Sequence, residues 1–389
     1  MSAGEAIQAR PARRTARPLI FATVLVTVLS LLFGVPWWTV AVAAGWPGPW
    51  GTAATVLFAC ALLAFPGLMF LGHGRRLDWA SRVADTMLGL VWVLFAWSVI
   101  GNVVLRGALI LAGVEDPVRS RAVALSVLTV AFGLSIWGAV EALRVPRIKR
   151  VEVTIDRLGP GLDGTTVALL TDTHYGPIDR SRWAARVAET VNRLQPDIVC
   201  HTGDIADGTV AQRLDQAKSL GTIEAKMTRV YVTGNHEYYG EAAAWISYMD
   251  SLGWQVMENR HLVLERGGDR LVVAGIDDAT ARTSDLTAAL AGADPALPVL
   301  LLAHQPKQVA LASAAGVDLQ LSGHTHGGQI WPFHYLVRID QPSVVGLTRH
   351  GARTQLYTSR GTGFWGPPLR VFAPSEITLM TLRSPTAAA

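Results

Sequence analysis

The chain has 389 residues, half of them hydrophobic, with 34 Lys/Arg against 30 Asp/Glu; that is more than one ordinary domain needs. Residues 1–150 carry 14 Lys/Arg against 6 Asp/Glu and residues 151–389 carry 20 against 24, so the basic pI belongs to the first part and excludes a nucleic-acid-binding reading of the whole. The two cysteines, Cys60 and Cys200, exclude a disulfide framework and a thiolate metal site.

Residues 1–18 form a basic N-terminal segment. Four apolar stretches follow, near 19–41, 51–71, 85–105 and 122–143, each about the ~20 residues that a membrane-crossing helix needs. Eight of the 13 tryptophans lie in or beside them. Trp37, Trp38, Trp46 and Trp50 cluster as an aromatic belt would at the outer interface. The segments predicted to be inside hold 11 Lys/Arg, namely Arg10 to Arg17, Arg75, Arg76, Arg82 and Arg144 to Arg150, against 3 outside, Arg106, Arg119 and Arg121. This predicts both termini in the cytoplasm and a multi-pass protein of the cell (inner) membrane. A cleaved signal at AVAAG (Ala41 to Gly45) would leave the other spans in the same orientation. A re-entrant third stretch, whose far end holds Asn102 and Arg106, would reverse the globular part. The expected layout is a transmembrane region over 19–144, a juxtamembrane linker over 145–150, a globular domain over 151–383 and a frayed tail over 384–389. The cations of RVPRIKR, Arg144 to Arg150, read as topogenic and lie within reach of anionic headgroups.

Beyond residue 150 the pattern alternates. VEVTI, TVALLT, DIVCHT, RVYVT, RLVVAGI, VLLLA and VDLQLS read as strands, and Ser181 to Leu194 as an amphipathic helix with Asp179 as its cap and Pro196 past its end. That alternation predicts an α/β domain with a largely buried sheet.

Five strands end in residues that bind metals. TVALLT precedes Asp172-Thr173-His174, and DIVCHT precedes Gly203-Asp204. RVYVT precedes Gly234-Asn235-His236-Glu237, VLLLA precedes His304, and VDLQLS precedes Gly323-His324-Thr325-His326. Ligands bind at the carboxyl ends of strands in open α/β sheets. Carboxylate, imidazole and amide oxygen suit Mn, Fe, Zn or Co. Extended geometry would let Asp172 and His174 reach one metal, and would bring His324 and His326 to a shared pair.

The order D-x-H, G-D, G-N-H-E, H, G-H-x-H resembles the signature of the calcineurin-like metallophosphoesterase superfamily. GHTHGGQ and SRGTGFWGPPLRVFAPSEITL are similar to its bacterial membrane-associated phosphodiesterases, and the four spans to transmembrane proteins carrying such a domain. Cys200-His201 departs from the commoner apolar pair. The resemblance implies a four-layer α/β/β/α sandwich. It implies one metal on Asp172, His174, Asp204 and His326, and a second on Asp204, Asn235, His304 and His324. It places His236 over the leaving group without binding metal. Glu237 and Asp207 would orient imidazoles.

The implied activity is hydrolysis of a phosphodiester, phosphomonoester or pyrophosphate by water activated between two divalent metals. The substrate would be membrane-proximal and lipid-linked, such as UDP-2,3-diacylglucosamine. Trp331, Phe333, Phe364 and Trp365 would either contact acyl chains or pack in the core, and Arg349, Arg353 and Arg360 would hold a second phosphate or face solvent. The alternatives are a membrane-anchored scaffold or sensor using the fold without turnover, marked by lost ligands, and a transporter, marked by charged residues within the spans. No ligand position is lost. Asp85, Glu141 and Asn102 lie only near span ends, so the spans read as an anchor.

Overall fold

A computed structural model describes residues 16–385; the basic residues Arg10, Arg13 and Arg14 and most of the expected tail lie outside the described residues. These residues divide into two compact units. One comprises the chain up to Gly67 with Leu90–Gly133, the other Leu68–Gly89 with everything from Leu134 onward.

Four helices are long and apolar enough to cross a membrane: Leu19–Val42, Trp50–Gly74, Asp78–Leu111 and Val118–Leu143. The third begins seven residues before the expected start and continues through a π turn, Gly101–Leu105. Its first turns hold Asp78, Arg82 and Asp85, which lower hydropathy without breaking a helix. Within the first unit its polar end is satisfied. Asn102 Nδ2 donates to Thr39 Oγ1 at 2.6 Å and to Ser98 O at 2.8 Å. Arg106 donates to Asn102 Oδ1 and Ser120 Oγ, each at 3.1 Å, and its guanidinium lies 5.0 Å from the Trp38 ring centroid.

The second unit holds the strands. In chain order they are β1 (Arg147–Thr154), β2 (Thr166–Leu170), β3 (Ile198–His201), β4 (Thr228–Tyr231), β5 (Gln255–Val256), β6 (Arg260–Arg266), β7 (Asp269–Gly275), β8 (Val299–Leu302), β9 (Leu319–Ser322), β10 (Gly346–His350), β11 (Thr354–Thr358) and β12 (Glu376–Arg383). They form two six-stranded sheets, β1-β12-β2-β3-β4-β5 and β10-β11-β9-β8-β7-β6. Strands β2 to β5 run parallel, as do β7, β8, β9 and β11. β1 starts at Arg147, inside the expected linker, because its main chain pairs with β12 from Arg147↔Glu376 onward while its side chains stay mostly exposed.

The two-residue strand period sorts the core into layers. Val167 and Leu169 of β2 face the inter-sheet core with Cys200, Val230, Val273, Leu300 and Leu321. Ala168 and Leu170 face the other way, onto Ala184, Val187 and Val191 of the helix Ser181–Leu194. Val272 and Leu301 turn outward onto Leu286 and Ala312. Each sheet thus buries one face on its partner and the other on helices, the expected α/β/β/α order. The helix Ser181–Leu194 has the expected bounds, but its N-cap is Arg180 rather than Asp179, whose Oδ1 accepts from Ser181 N at 2.9 Å from one residue further back; Gln195 leaves the helix in a left-handed conformation.

Candidate active site

The parallel strands of both sheets deliver their carboxyl ends to one place. β2 brings Asp172 and His174, β3 brings Asp204, and β4 brings Asn235 and His236. β8 brings His304, and β9 brings His324 and His326. The side chains of Asp172, His174 and His326 form one group of potential metal ligands, and those of Asp204, His304 and His324 a second; within each group the ligand atoms lie within 4.8 Å of one another. Asn235 Oδ1 joins the second, 3.1 Å from His304 Nε2 and 2.9 Å from His324 Nδ1. Asp204 Oδ2 faces both groups, 3.2 Å from His304 Nε2 and 3.5 Å from His174 Nε2.

The extended geometry expected after β2 and β9 does not occur. Asp172, His174, Asp204, His324 and His326 all have positive φ, from 41° to 69°, a region non-glycine residues seldom occupy. Each strand turns sharply at its end, and the two histidines of GHTH separate, His324 to one group and His326 to the other. Glycines let the turns approach. A Cβ on Gly203 would lie 2.3 Å from Gly234 N, and one on Gly323 would lie 2.1 Å from both Asp172 Oδ2 and Thr171 Oγ1.

The donor set calls for cations. His304 Nδ1 lies 2.7 Å from Thr202 O, and a carbonyl only accepts. Its Nδ1 therefore donates, and its Nε2 faces Asn235 Oδ1 and Asp204 Oδ2. His174 Nδ1 is likewise engaged by Asp207 Oδ1 at 3.1 Å, so its Nε2 faces His326 Nε2 at 3.1 Å and two carboxylates. Carboxylates, an amide oxygen and imidazoles thus converge on one place, a ligand set that suits divalent metals. The titration behaviour has the same cause. Burial works against a charged His304, but Asp204 and Asp172 raise its pKa well above the ordinary value. Burial and the charge on His304 push His324 down to about 4.

His236 belongs to neither group but forms a third with Asp207 and His174, their ligand atoms within 4.8 Å of one another. Its Nδ1 lies 2.7 Å from Asp207 Oδ1, and its ring is 4.7 Å from His174 and 5.6 Å from Trp365. Burial lowers its pKa, yet Asp204 and Asp207 outweigh that and push it up to about 9, which keeps it cationic at neutral pH. Asp207 thus orients two imidazoles. Glu237 does something else: it accepts from the main-chain amides of Asp204 (3.0 Å), Ile205 (2.7 Å) and Gly234 (2.6 Å), pinning the β3 and β4 turns together.

Several contributors carry no sequence signal. Arg370 is fully buried and donates to the main-chain carbonyls of Gly363, Ala373, Arg360 and His326 and to His326 Nδ1 at 3.3 Å. Gln329, the last residue of GHTHGGQ, exchanges hydrogen bonds with the main chain of Trp365 at 3.0 and 2.8 Å. It thereby holds the loop that walls His236. Arg213 donates to Asp78 through two bonds of 2.7 Å and to Asp207 O at 2.8 Å. Arg82 and Asp85 line a narrow pocket with His174 and Asp207. A short part of the apolar helices therefore borders the site. Of the aromatic candidates, Phe364 is buried, Trp365 and Phe333 are exposed, and Trp331 lies 6.4 Å from the Phe372 ring. Arg349 donates to Ala352 O within its own hairpin, Arg353 lies in the turn between β10 and β11, and Arg360 pairs with Glu376 at 3.4 Å.

Comparison with known proteins follows this geometry. The family model for calcineurin-like phosphoesterases matches residues 165–328. A transmembrane protein with a metallophosphoesterase domain from Danio rerio is 34% identical over 81% of this chain and 76% of its own length. An uncharacterized metallophosphoesterase of Helicobacter pylori is 38% identical over 63% of this chain and 66% of its own. Among solved structures, a dimetal phosphatase from Danio rerio matches 53% of this chain and 90% of its own at 16% identity and a TM-score of 0.34. With every motif of the signature in place and a relative named as a transmembrane protein with this domain matching most of its length, the chain belongs to the calcineurin-like metallophosphoesterases.

Proposed function

We propose that the protein is a membrane-anchored phosphoesterase that uses two divalent metals, from among Mn, Fe, Zn and Co, to cleave a phosphodiester, phosphomonoester or pyrophosphate. The observation that carries this reading is the convergence of the metal-ligating side chains of Asp172, His174, Asp204, Asn235, His304, His324 and His326. Divalent ions bound there would polarise phosphate oxygens and lower the pKa of a water. Asp204 supplies the negative charge facing both ligand groups. His236 has Nδ1 committed to Asp207, so its Nε2 is the proton that can pass to a leaving oxygen, a contribution of about 10²–10⁴ in rate. Trp365 and Tyr239 pack around that imidazole and limit its contact with water.

The excess of Lys/Arg in the predicted inner segments supports a cytoplasmic placement of the domain. The border of the site by Arg82 and Asp85 supports a membrane-proximal, lipid-linked substrate. The test is hydrolysis of bis(p-nitrophenyl) phosphate and p-nitrophenyl phosphate by the full chain in detergent, metal-stripped and then reloaded with Mn. We expect turnover only after reloading. A fully metallated protein that turns over neither these esters nor a pyrophosphate panel favours the scaffold reading instead.

A further inference from the structure

The fourth apolar helix ends at Leu143, and a basic pocket opens there. Arg144 lines it on one side, with Arg180, Arg182 and Arg186 facing it around the first turns of the helix Ser181–Leu194; Leu143 and Trp183 supply an apolar floor. The one carboxylate in the lining, Asp179, is already taken by Ser181, whose N and Oγ donate to it at 2.9 and 2.6 Å. Arg182 and Arg186 are exposed, and neither side chain meets a carboxylate among the described residues. Trp183 Nε1 donates to Arg144 O at 2.9 Å, which fixes the floor to the end of the span.

Arg180 gives the second observation. It is 4% exposed, and its guanidinium is sandwiched between Trp183 at 4.6 Å and Phe364 at 4.4 Å. Its Nη2 donates to the carbonyls of Thr173 and His174. Its Nε and Nη1 are buried without a hydrogen-bond partner. A buried cation with unmet donors is costly and points to an acceptor that arrives from outside the chain.

The end of a membrane-crossing helix lies at headgroup depth. The anions concentrated at that depth are phospholipid phosphates. We infer that this pocket binds the headgroup of an anionic phospholipid, phosphate against the arginines and an acyl chain along Leu143 and Trp183. The bound phosphate satisfies Arg180, which in turn holds the carbonyls of the Thr173-His174 turn. The proposal does not depend on a hydrolytic step, although Arg180 also lines the pocket that holds His174 and Asp207.

The test uses the full chain purified in a neutral detergent and offered phosphatidylglycerol, phosphatidylcholine, or glycerol phosphate, with retained molecules counted by native mass spectrometry. We expect one phosphatidylglycerol held per chain, phosphatidylcholine released, and glycerol phosphate bound at least about tenfold more weakly. Joint Arg182→Glu and Arg186→Glu substitution should weaken retention by about tenfold or more. Arg182→Lys with Arg186→Lys should largely keep it, and so should Arg75→Glu with Arg76→Glu, which reverses charge elsewhere on the same chain. Should the glutamate variant fail to fold, Arg182→Gln with Arg186→Gln carries the same expectation. Retention unchanged in the Arg182 and Arg186 glutamate and glutamine variants, or equal retention of phosphatidylcholine, overturns the proposal. Glycerol phosphate binding as tightly as the lipid overturns it too, and makes this a soluble-anion site.

Discussion

Gly323 has no room for a methyl group, since a Cβ there would sit 2.1 Å from Asp172 Oδ2. Gly323→Ala should therefore cut metal content and turnover together, by about tenfold or more, while circular dichroism shows the sheets intact; such a loss needs only ~1.4 kcal/mol at the ligand. His236→Ala makes the opposite split. Metal content by plasma emission should stay, and turnover should fall about 10²–10⁴; unchanged turnover removes the role assigned to it. His201 predicts a pH effect. It is buried, Gly203 N donates to its Nδ1 at 3.3 Å, and burial with the charge on His304 holds its pKa down to about 3. The unfolded chain takes up that proton near pH 6.5 and the folded chain does not, so this stabilisation is whole above 6.5 and shrinks as pH falls. Wild type should lose about 1.4 kcal/mol per pH unit relative to His201→Phe between pH 6 and 4.5, read as the gap between their thermal midpoints in detergent. The ligands were legible because each follows an apolar run by one to four residues. Asp207 was legible only as a candidate, and Arg370, whose partners are mostly main-chain carbonyls, not at all.

Among the elements, the seven strands read from the sequence are β1, β2, β3, β4, β7, β8 and β9, whose apolar runs are conspicuous. β6 and β10 escaped because their residues alternate with charge at a sheet edge, β5 because it is two residues long, and the interior β11 and β12 because polar residues interrupt their apolar runs. The turn geometry after β2 and β9 escaped for another reason. Left-handed φ at Asp172, His174, His324 and His326 is imposed by contacts such as Asp172 accepting from His324 N at 3.0 Å, not by local preference. The start of the third apolar helix carries a cross-element bond of the same kind. Arg213 is nearly buried and its two bonds to Asp78 bring that helix to the Asp207 turn. Asp78→Ala leaves the guanidinium without its partner. Because Asp78 is partly exposed, the cost should be about 1–3 kcal/mol, seen as a lower melting temperature of the detergent-solubilised chain, with Asp78→Asn intermediate.

For the molecule as a whole, the arrangement of cations along the chain predicts that a fluorescent protein fused after residue 389 lights up in intact cells and that alkaline phosphatase fused there is inactive. The reverse pattern would place the catalytic domain on the far side of the membrane. The fold class was legible from alternation alone, but the sheet order was not. β12, the last strand among the described residues, lies between β1 and β2, bonded in parallel to one and antiparallel to the other. The first sheet therefore cannot close until residues 376–383 have been made. Until then the nascent domain hangs from its anchor with a gap in its middle. A stop codon anywhere before Glu376 should leave no shortened enzyme, only a tethered product for proteases to clear.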